Sequence, residues 1–458
     1  MTRTDNQSSM PQGIPFPKPK VRDPDRYLAR PGPDPLSAAF PEKFAIHPGQ
    51  AGGTLTGPEA AEAYQELLEA PGGPCAFYVH MPFCKGRCLF CGFAGKTPSR
   101  ESGSAYCSSV VREIEYLASA TAPRGPVRTV YFGGGTPSCM EPADLASVLR
   151  AMRSCAPFAN DAEITLEGAI RDFTPANVEG FLAAGFNRFS IGIQTFDTGV
   201  RRSMGRASEG EEALRRLSDL ASTNMAAVII DLIYGLPGQT LEIFSRDLDL
   251  ASEAGLDGLD TYQLNVFPGG DLARAAQDGR VRPPIPLSEQ GRYYALAYRR
   301  LGRMRFRSLS LSHYGRGTRE RNFYNPWAKR RQDCLAAGAG AGGFLGGWAS
   351  YRMPDPDKYV SAVASGDFSP DFLTRPSPSD ALASFLVGEM DEGTLDLRAL
   401  RERFAVDTAL LSRLLDNWQE TGLVEIEDDL LSLTVPGRFW GVNLAQAFVD
   451  TLAVGSLE

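Results

Sequence analysis

The sequence predicts an α/β protein: a partial (β/α)6, TIM-like barrel with an irregular N-terminal arm and a small C-terminal helical, winged-helix-like module. Three observations predict it. Six short apolar runs of strand length recur between residues 75 and 267, and amphipathic helix patterns separate them. Several of those helix patterns end near a glycine, a common left-handed stop. Polar or glycine-rich residues stand at the C-terminal ends of the runs, where parallel sheets carry their chemistry.

Residues 1–58 are rich in Pro and Gly turn pairs and read as the arm, with one short helix near Leu36–Phe44. A helix over 59–69 opens the core, residues 59–300. Its strands are CAFYVH (75–80), VRTVYF (127–132), AEITLE (162–167), RFSIGI (188–193), AVIIDLIYG (227–235) and LDTYQLNVF (259–267). Helices fall between them near 104–121, 142–155, 175–184, 208–223 and 240–254. Six βα units in series imply a parallel sheet. The Pro-rich RVRPPIP (280–286) marks a boundary, and 287–304 reads as a helix. Residues 301–375 hold a polar stretch followed by GAGAGGFLGG. Residues 376–458 turn to helices plus LVEIEDDLLSLT (423–434), a hairpin pattern.

With 458 residues, 43% of them hydrophobic, the chain has material for one large core and one or two smaller units. A net charge of −8 argues against a nucleic-acid partner and points to a small-molecule substrate. The first residues, MTRTDNQSSMPQG, lack the apolar stretch of a secretory signal, and no uninterrupted apolar run reaches membrane-spanning length. No membrane insertion is expected. These features predict a cytoplasmic, reducing compartment, where clustered cysteines bind metal or do chemistry. The only histidines are His47, His80 and His313, too few for a multi-histidine metal site.

Residues 78–93, YVHMPFCKGRCLFCGF, place Cys84, Cys88 and Cys91 at C-x3-C-x2-C in a polar loop after the first strand. Zinc wants a fourth ligand, for which His80 is the nearby candidate. The alternative is a 4Fe-4S cluster with one iron left open to a substrate group. One βα unit later, FGGGTPS (132–138) supplies glycines that let backbone groups approach a ligand. Glu167, Gln194 and Asp231 end the third, fourth and fifth strands. They read as ligand contacts or as loop caps. Arg206 suits a carboxylate or stands on the surface. The other five cysteines lack ligand spacing and read as packing residues, with Cys334, just before the glycine-rich loop, a weak exception.

A cysteine triplet after the first strand of a βα barrel resembles the radical S-adenosylmethionine (SAM) superfamily. The stretches Y-x-H-x-P-F-C-x3-C-x2-C, GGGTP, RFSIGIQTFD and DLIYGLPGQT, spread over about residues 75–270, resemble its oxygen-independent coproporphyrinogen oxidase (HemN-like) branch. That resemblance implies a 4Fe-4S cluster on Cys84, Cys88 and Cys91, and two SAM molecules. Tyr78, Gly134 and Glu167 would serve the cluster-bound SAM, with Phe344 touching it. Phe90, Gly135, Thr136, Gln194, Arg206, Asp231 and Asn265 would serve the second. The oxidases carry a further cysteine where this chain has Phe93, which leads away from porphyrin synthesis.

Three more stretches, DPLSAAFPEKFAIHPG (34–49), YQLNVFPGG (262–270) and LSHYGRGTRERNFYN (311–325), resemble the ChuW/HutW-type anaerobic haem-degrading methyltransferases, the anaerobilin synthases. The resemblance implies that a radical made from the first SAM activates the methyl group of the second. That carbon then adds to a haem meso position and the ring opens. Haem is the implied substrate, and a flavodoxin-like or other low-potential reductant the implied electron donor. Residues 301–375 would cover substrate and SAM. Within 311–325, Tyr314, Arg316, Arg319, Arg321 and Tyr324 suit propionates and a flat macrocycle, and His313 suits an iron ligand or proton carrier. A solvated basic loop with a hydrogen-bonded histidine is the competing reading. Other HemN-like activities remain open: natural-product methyltransferases or cyclopropanases, and haem chaperones.

Overall fold

All six apolar runs are strands in the computed structural model, which describes residues 24–44, 52–93 and 95–454. They are β1 (Cys75–Met81), β2 (Val127–Gly134), β3 (Phe158–Gly168), β4 (Arg188–Gln194), β5 (Ala227–Tyr234) and β6 (Gly258–Gln263). Each pairs in parallel with the next. The sixth run stops early: Asn265 and Phe267 lie past its end, on an exposed rim.

Two strands that the sequence pattern did not separate extend the sheet. One, β7 (His313–Gly315), runs antiparallel beside β6. The other, β8 (Cys334–Ala337), pairs in parallel with β1, from Cys334 opposite Ala76 to Ala337 opposite Val79. The parallel sheet therefore has seven strands. Beyond β8 it continues as antiparallel strands Gly342–Leu345, Trp348–Tyr351, Phe372–Thr374 and Thr54–Leu55. Among the described residues no pairing closes the two edges of this sheet on each other.

Helices α1 (Arg100–Ala120), α2 (Pro142–Cys155), α3 (Pro175–Ala184), α4 (Gly210–Ser222) and α5 (Leu241–Glu253) connect the strands, and α6 (Leu287–Arg303) follows. Local chemistry sets their ends. Thr174 and Thr240 accept hydrogen bonds from the backbone N–H groups of Asn177 and Ile243, capping α3 and α5. Gly185, at φ 107°, ends α3 in a left-handed turn.

A strand's period of two splits its residues between two faces. The outward set is apolar and packs on the helices. Phe132, Phe181, Phe186 and Phe189 form one edge-to-face cluster there. Truncating Phe181, which is fully buried, should cost about 3–5 kcal/mol. The inward set is polar: Tyr78, Tyr131, Glu167, Arg188, Asp231 and Asp260 line the concave side and position the site.

The described part of the arm, residues 24–44, docks on the C-terminal module. The indole N–H groups of Trp418 and Trp440 donate to the carbonyls of Tyr27 (3.0 Å) and Pro35 (2.9 Å). The short helix expected near Leu36–Phe44 is a single turn, Pro35–Ala38. His47 lies outside the described residues. The predicted hairpin is present as Val424–Glu427 and Leu430–Leu433, joined by Thr394–Asp396 into a three-stranded sheet beside short helices. Among the described residues, no helix is long and apolar enough to cross a membrane.

Candidate cluster and cofactor site

The cysteine loop and the glycine loop are stitched together at the C-terminal ends of β1 and β2. Gly135 N–H donates to Met81 O (2.8 Å), and Thr136 N–H to Phe83 O (2.7 Å). Closeness explains the glycines. A Cβ at Gly135 would fall 2.5 Å from Phe83 O and 3.0 Å from Cys84 Sγ, and one at Gly134, at φ +107°, would meet the His80 ring.

Each sulfur of the triplet accepts one hydrogen bond. Cys84 Sγ receives it from Thr136 Oγ1 (3.3 Å), Cys88 Sγ from Arg206 Nη1 (3.5 Å) and Cys91 Sγ from Phe93 N–H (3.3 Å). All eight cysteines are free thiols.

The triplet opens onto a cavity of about 230 Å³. Its walls include Phe90, Gly135, Thr136, Glu167, Gln194, Arg206 and Asp231, so the structure brings most of the sequence-selected residues together. Tyr131 donates to Glu167 Oε1 at 2.5 Å, and burial pushes the Glu167 carboxyl above the usual range. Burial, reinforced by the carboxylates of Asp260 and Glu167, pushes Asp231 up to about 8. Gln194 sits in a left-handed conformation (φ 66°) at a register shift between β4 and β5. Asp247 of α5 fixes that corner, accepting from Phe196 N–H and the Thr195 hydroxyl, both at 2.7 Å. A larger cleft of about 750 Å³ between α5 and α6 contains none of these groups.

The model for the radical SAM superfamily matches residues 78–251. The anaerobilin synthase of Escherichia coli O157:H7 is 34% identical over 418 residues, spanning 91% of this chain and 93% of that protein. The chain belongs to the radical SAM superfamily, in its HemN-like branch. The heme chaperone HemW of Mycobacterium tuberculosis (strain ATCC 25618 / H37Rv) is 31% identical over 65% of this chain and 76% of its own length. The solved structure of coproporphyrinogen III oxidase (HemN) from Escherichia coli has the same fold. Its TM-score is 0.72 at 23% identity, over 84% of this chain and 93% of that one.

The 4Fe-4S cluster and SAM of a radical SAM protein fit these residues. Three thiols with separate hydrogen-bond donors suit thiolates that carry a cluster's charge. Gln194 Oε1 is buried with no partner among the described residues, an acceptor left for a ligand. Among the described residues no three His, Cys, Asp or Glu side chains close on one ion, a demand that a cube of irons does not make.

The other selected residues are placed differently. Tyr78 lies inside the barrel, its hydroxyl 3.0 Å from His80 Nδ1. Asn265 is on the exposed rim. Phe344 does not reach the cofactor end: it pairs with Cys334, which is level with the start of β1, and its ring lies under Arg331. The residues beside His80 are instead Gly338 and Gly340 of the same glycine-rich stretch.

Segment 311–325 requires the largest correction. Because β7 is antiparallel to β6, Gly315 stands opposite Gly258, the entry end of β6. The chain then runs beneath the barrel, at the end remote from the cysteines. Arg316 Nη1 donates to Ser252 O (3.4 Å). Arg319 donates to Ala226 O (2.8 Å) and pairs with Asp257. Arg321 donates to Asp161 O (2.6 Å) and its carboxylate (3.1 Å). These arginines are occupied at the wrong end to hold propionates of a substrate above the cluster. Tyr314 faces the helix layer, buried beside Tyr294. Of the five residues selected for substrate, Tyr324 alone points inward, stacked 4.3 Å from Tyr131 and 5.8 Å from Tyr78.

His313 is not free to ligate iron. Nδ1 is 2.8 Å from Asp260 Oδ2 and Nε2 is 2.9 Å from Glu320 Oε1. Glu320 also takes two hydrogen bonds from Arg188, from Nε and Nη2, both at 3.0 Å. Burial opposes a charged imidazole, but the two carboxylates outweigh it and push His313 up to about 9. Sequence reading missed Arg188, Ser190 and Asp260. The signal was available, because Arg188, Ser190, Gly192 and Gln194 alternate at strand spacing and so share one face.

Proposed function

We propose that this protein is a radical SAM methyltransferase that uses two SAM molecules to methylate and open haem without oxygen, releasing iron and a linear tetrapyrrole. The observation that carries the reading is the similarity to anaerobilin synthase over nine-tenths of both chains. Phe93, 72% exposed beside the triplet, agrees with it, since the porphyrin-synthesising oxidases have a cysteine there.

When bound, the cluster and SAM supply reductive cleavage of a carbon–sulfur bond, with electrons from a low-potential donor such as a flavodoxin. The chain's own residues orient and enclose. Cys84, Cys88 and Cys91 would hold the cluster. Gly135 offers its backbone carbonyl at close range, and Gln194 its side-chain carbonyl. Burial and the neighbouring carboxylates push Asp231 toward its neutral form, and a cationic ligand favours the ionised one. Tyr78, Tyr131 and Tyr324 form an aromatic layer below the cavity that keeps a flat substrate at its upper end.

An anaerobic assay with reconstituted cluster, SAM, reductant and haem tests the reading. It predicts loss of the Soret band with both S-adenosylhomocysteine and 5′-deoxyadenosine formed. SAM cleavage with haem left intact contradicts it and favours another HemN-like substrate. Haem binding without SAM turnover favours a chaperone, the activity named for the HemW relative.

A further inference from the structure

The cations around the cavity mouth divide sharply. Lys85 is bound to Asp172 at 3.0 Å. Arg87 is paired with Asp271 at 2.5 Å. Arg206 is spent on Gly192 O and Cys88 Sγ. Arg171 lines the same cavity, yet its guanidinium has no hydrogen bond or ion pair to any described residue. Its Nε is buried without a partner, a state that native structures rarely leave unanswered.

The backbone at Arg171 is held by its neighbours. It follows the end of β3 in the short turn Ile170–Asp172. Ile170 and Asp172 on either side are buried, and Asp172 is held by Ser138 (3.1 Å) and Lys85. The nearest acid in sequence is therefore already engaged. The guanidinium lies along the cysteine loop, where a Cβ at Gly86 would come within 3.3 Å of Nη1. The glycine leaves that side of the fork open to the cavity.

We propose that Arg171 is an anion subsite of this cavity that takes a carboxylate. A planar fork with free Nη donors matches a carboxylate. Two sources present that group here: a propionate of the tetrapyrrole and the methionine carboxylate of SAM. The tetrapyrrole source rests on the haem reading of the preceding section; the subsite itself does not.

The test uses the full chain with its cluster reconstituted, comparing wild type with Arg171→Gln and Arg171→Lys. Intact cluster absorbance and an unchanged melting temperature establish that the variants fold. Haem and haem dimethyl ester are titrated by the Soret band without SAM, and SAM is titrated by equilibrium dialysis without haem. A propionate subsite predicts that wild type prefers haem over its ester by about 10- to 100-fold, that Gln abolishes the preference, and that SAM affinity holds. A SAM subsite predicts the same loss for SAM, with haem unaffected. Lys should restore only part of either, because it lacks the fork. Unchanged affinity for both ligands overturns the proposal. If wild type binds no haem at all, the haem reading fails while the SAM arm still decides on Arg171.

Discussion

The two ends of the barrel hold similar residues and use them differently. At the cysteine end, polar groups are left over: Gln194 Oε1 and Arg171 Nε have no partner among the described residues, and Asp231 is pushed toward neutrality. At the opposite end the charged groups are spent. Arg316, Arg319 and Arg321 are bound to carbonyls and carboxylates, and His313 is clamped on both ring nitrogens. A run of Arg, His and Tyr looks like a substrate site in either place. What separates a ligand site from a structural lock is whether the protein has already satisfied the donors and acceptors.

The comparison breaks most visibly at the cysteines. Cys88→Ala should abolish the visible absorbance of the reconstituted cluster and all SAM cleavage, whereas Arg321→Ala should leave both intact. A full cluster in the cysteine variant would refute the ligand assignment.

At the lower end the effects should appear in stability. Glu320→Gln leaves buried Arg188 and His313 without their shared carboxylate, and urea denaturation should read a loss of about 3–5 kcal/mol. The pH dependence follows from His313. Its folded pKa of about 9 lies above the ordinary 6.5, so its contribution is complete below pH 6.5 and is lost as pH rises through 9. Wild type should lose stability between pH 7 and 9.5, and His313→Gln should show a flatter profile over that window. Equal slopes would contradict the clamp.

At the upper end the effects should appear in binding. Gln194→Met, which removes the unpaired side-chain carbonyl at similar volume, should weaken SAM binding about 10-fold or more while the fold survives. SAM affinity should also rise several-fold from pH 7 to 9, as Asp231 ionises, and Asp231→Asn should remove that dependence. The smallest effect belongs to Arg319→Ala, a half-exposed pair at the lower end. Stability should change by about 1 kcal/mol or less, and haem affinity not at all.

Much of this was legible in the sequence. The six parallel strands and their helices follow from hydrophobic period, and α3 appears at its predicted limits because Thr174, Pro175 and Gly185 mark both ends. The cavity residues were legible because a parallel sheet gathers its strand ends in one place. The lower end was not. Nothing local in 311–325 announces that β7 turns antiparallel, and that single reversal carries three arginines away from the site. The strand β8 was hidden in the same way, since CLAA is too short to show a period and is held only by β1. The subgroup-like stretch at 311–325 therefore reads as family architecture rather than as substrate contact.

Methyl-deuterated SAM tests the central claim most directly. Turned over with haem under anaerobic reducing conditions, CD3-labelled SAM should give 5′-deoxyadenosine carrying one deuterium and a linear tetrapyrrole carrying two in its new carbon. An unlabelled tetrapyrrole, or haem recovered intact while SAM is consumed, would contradict it.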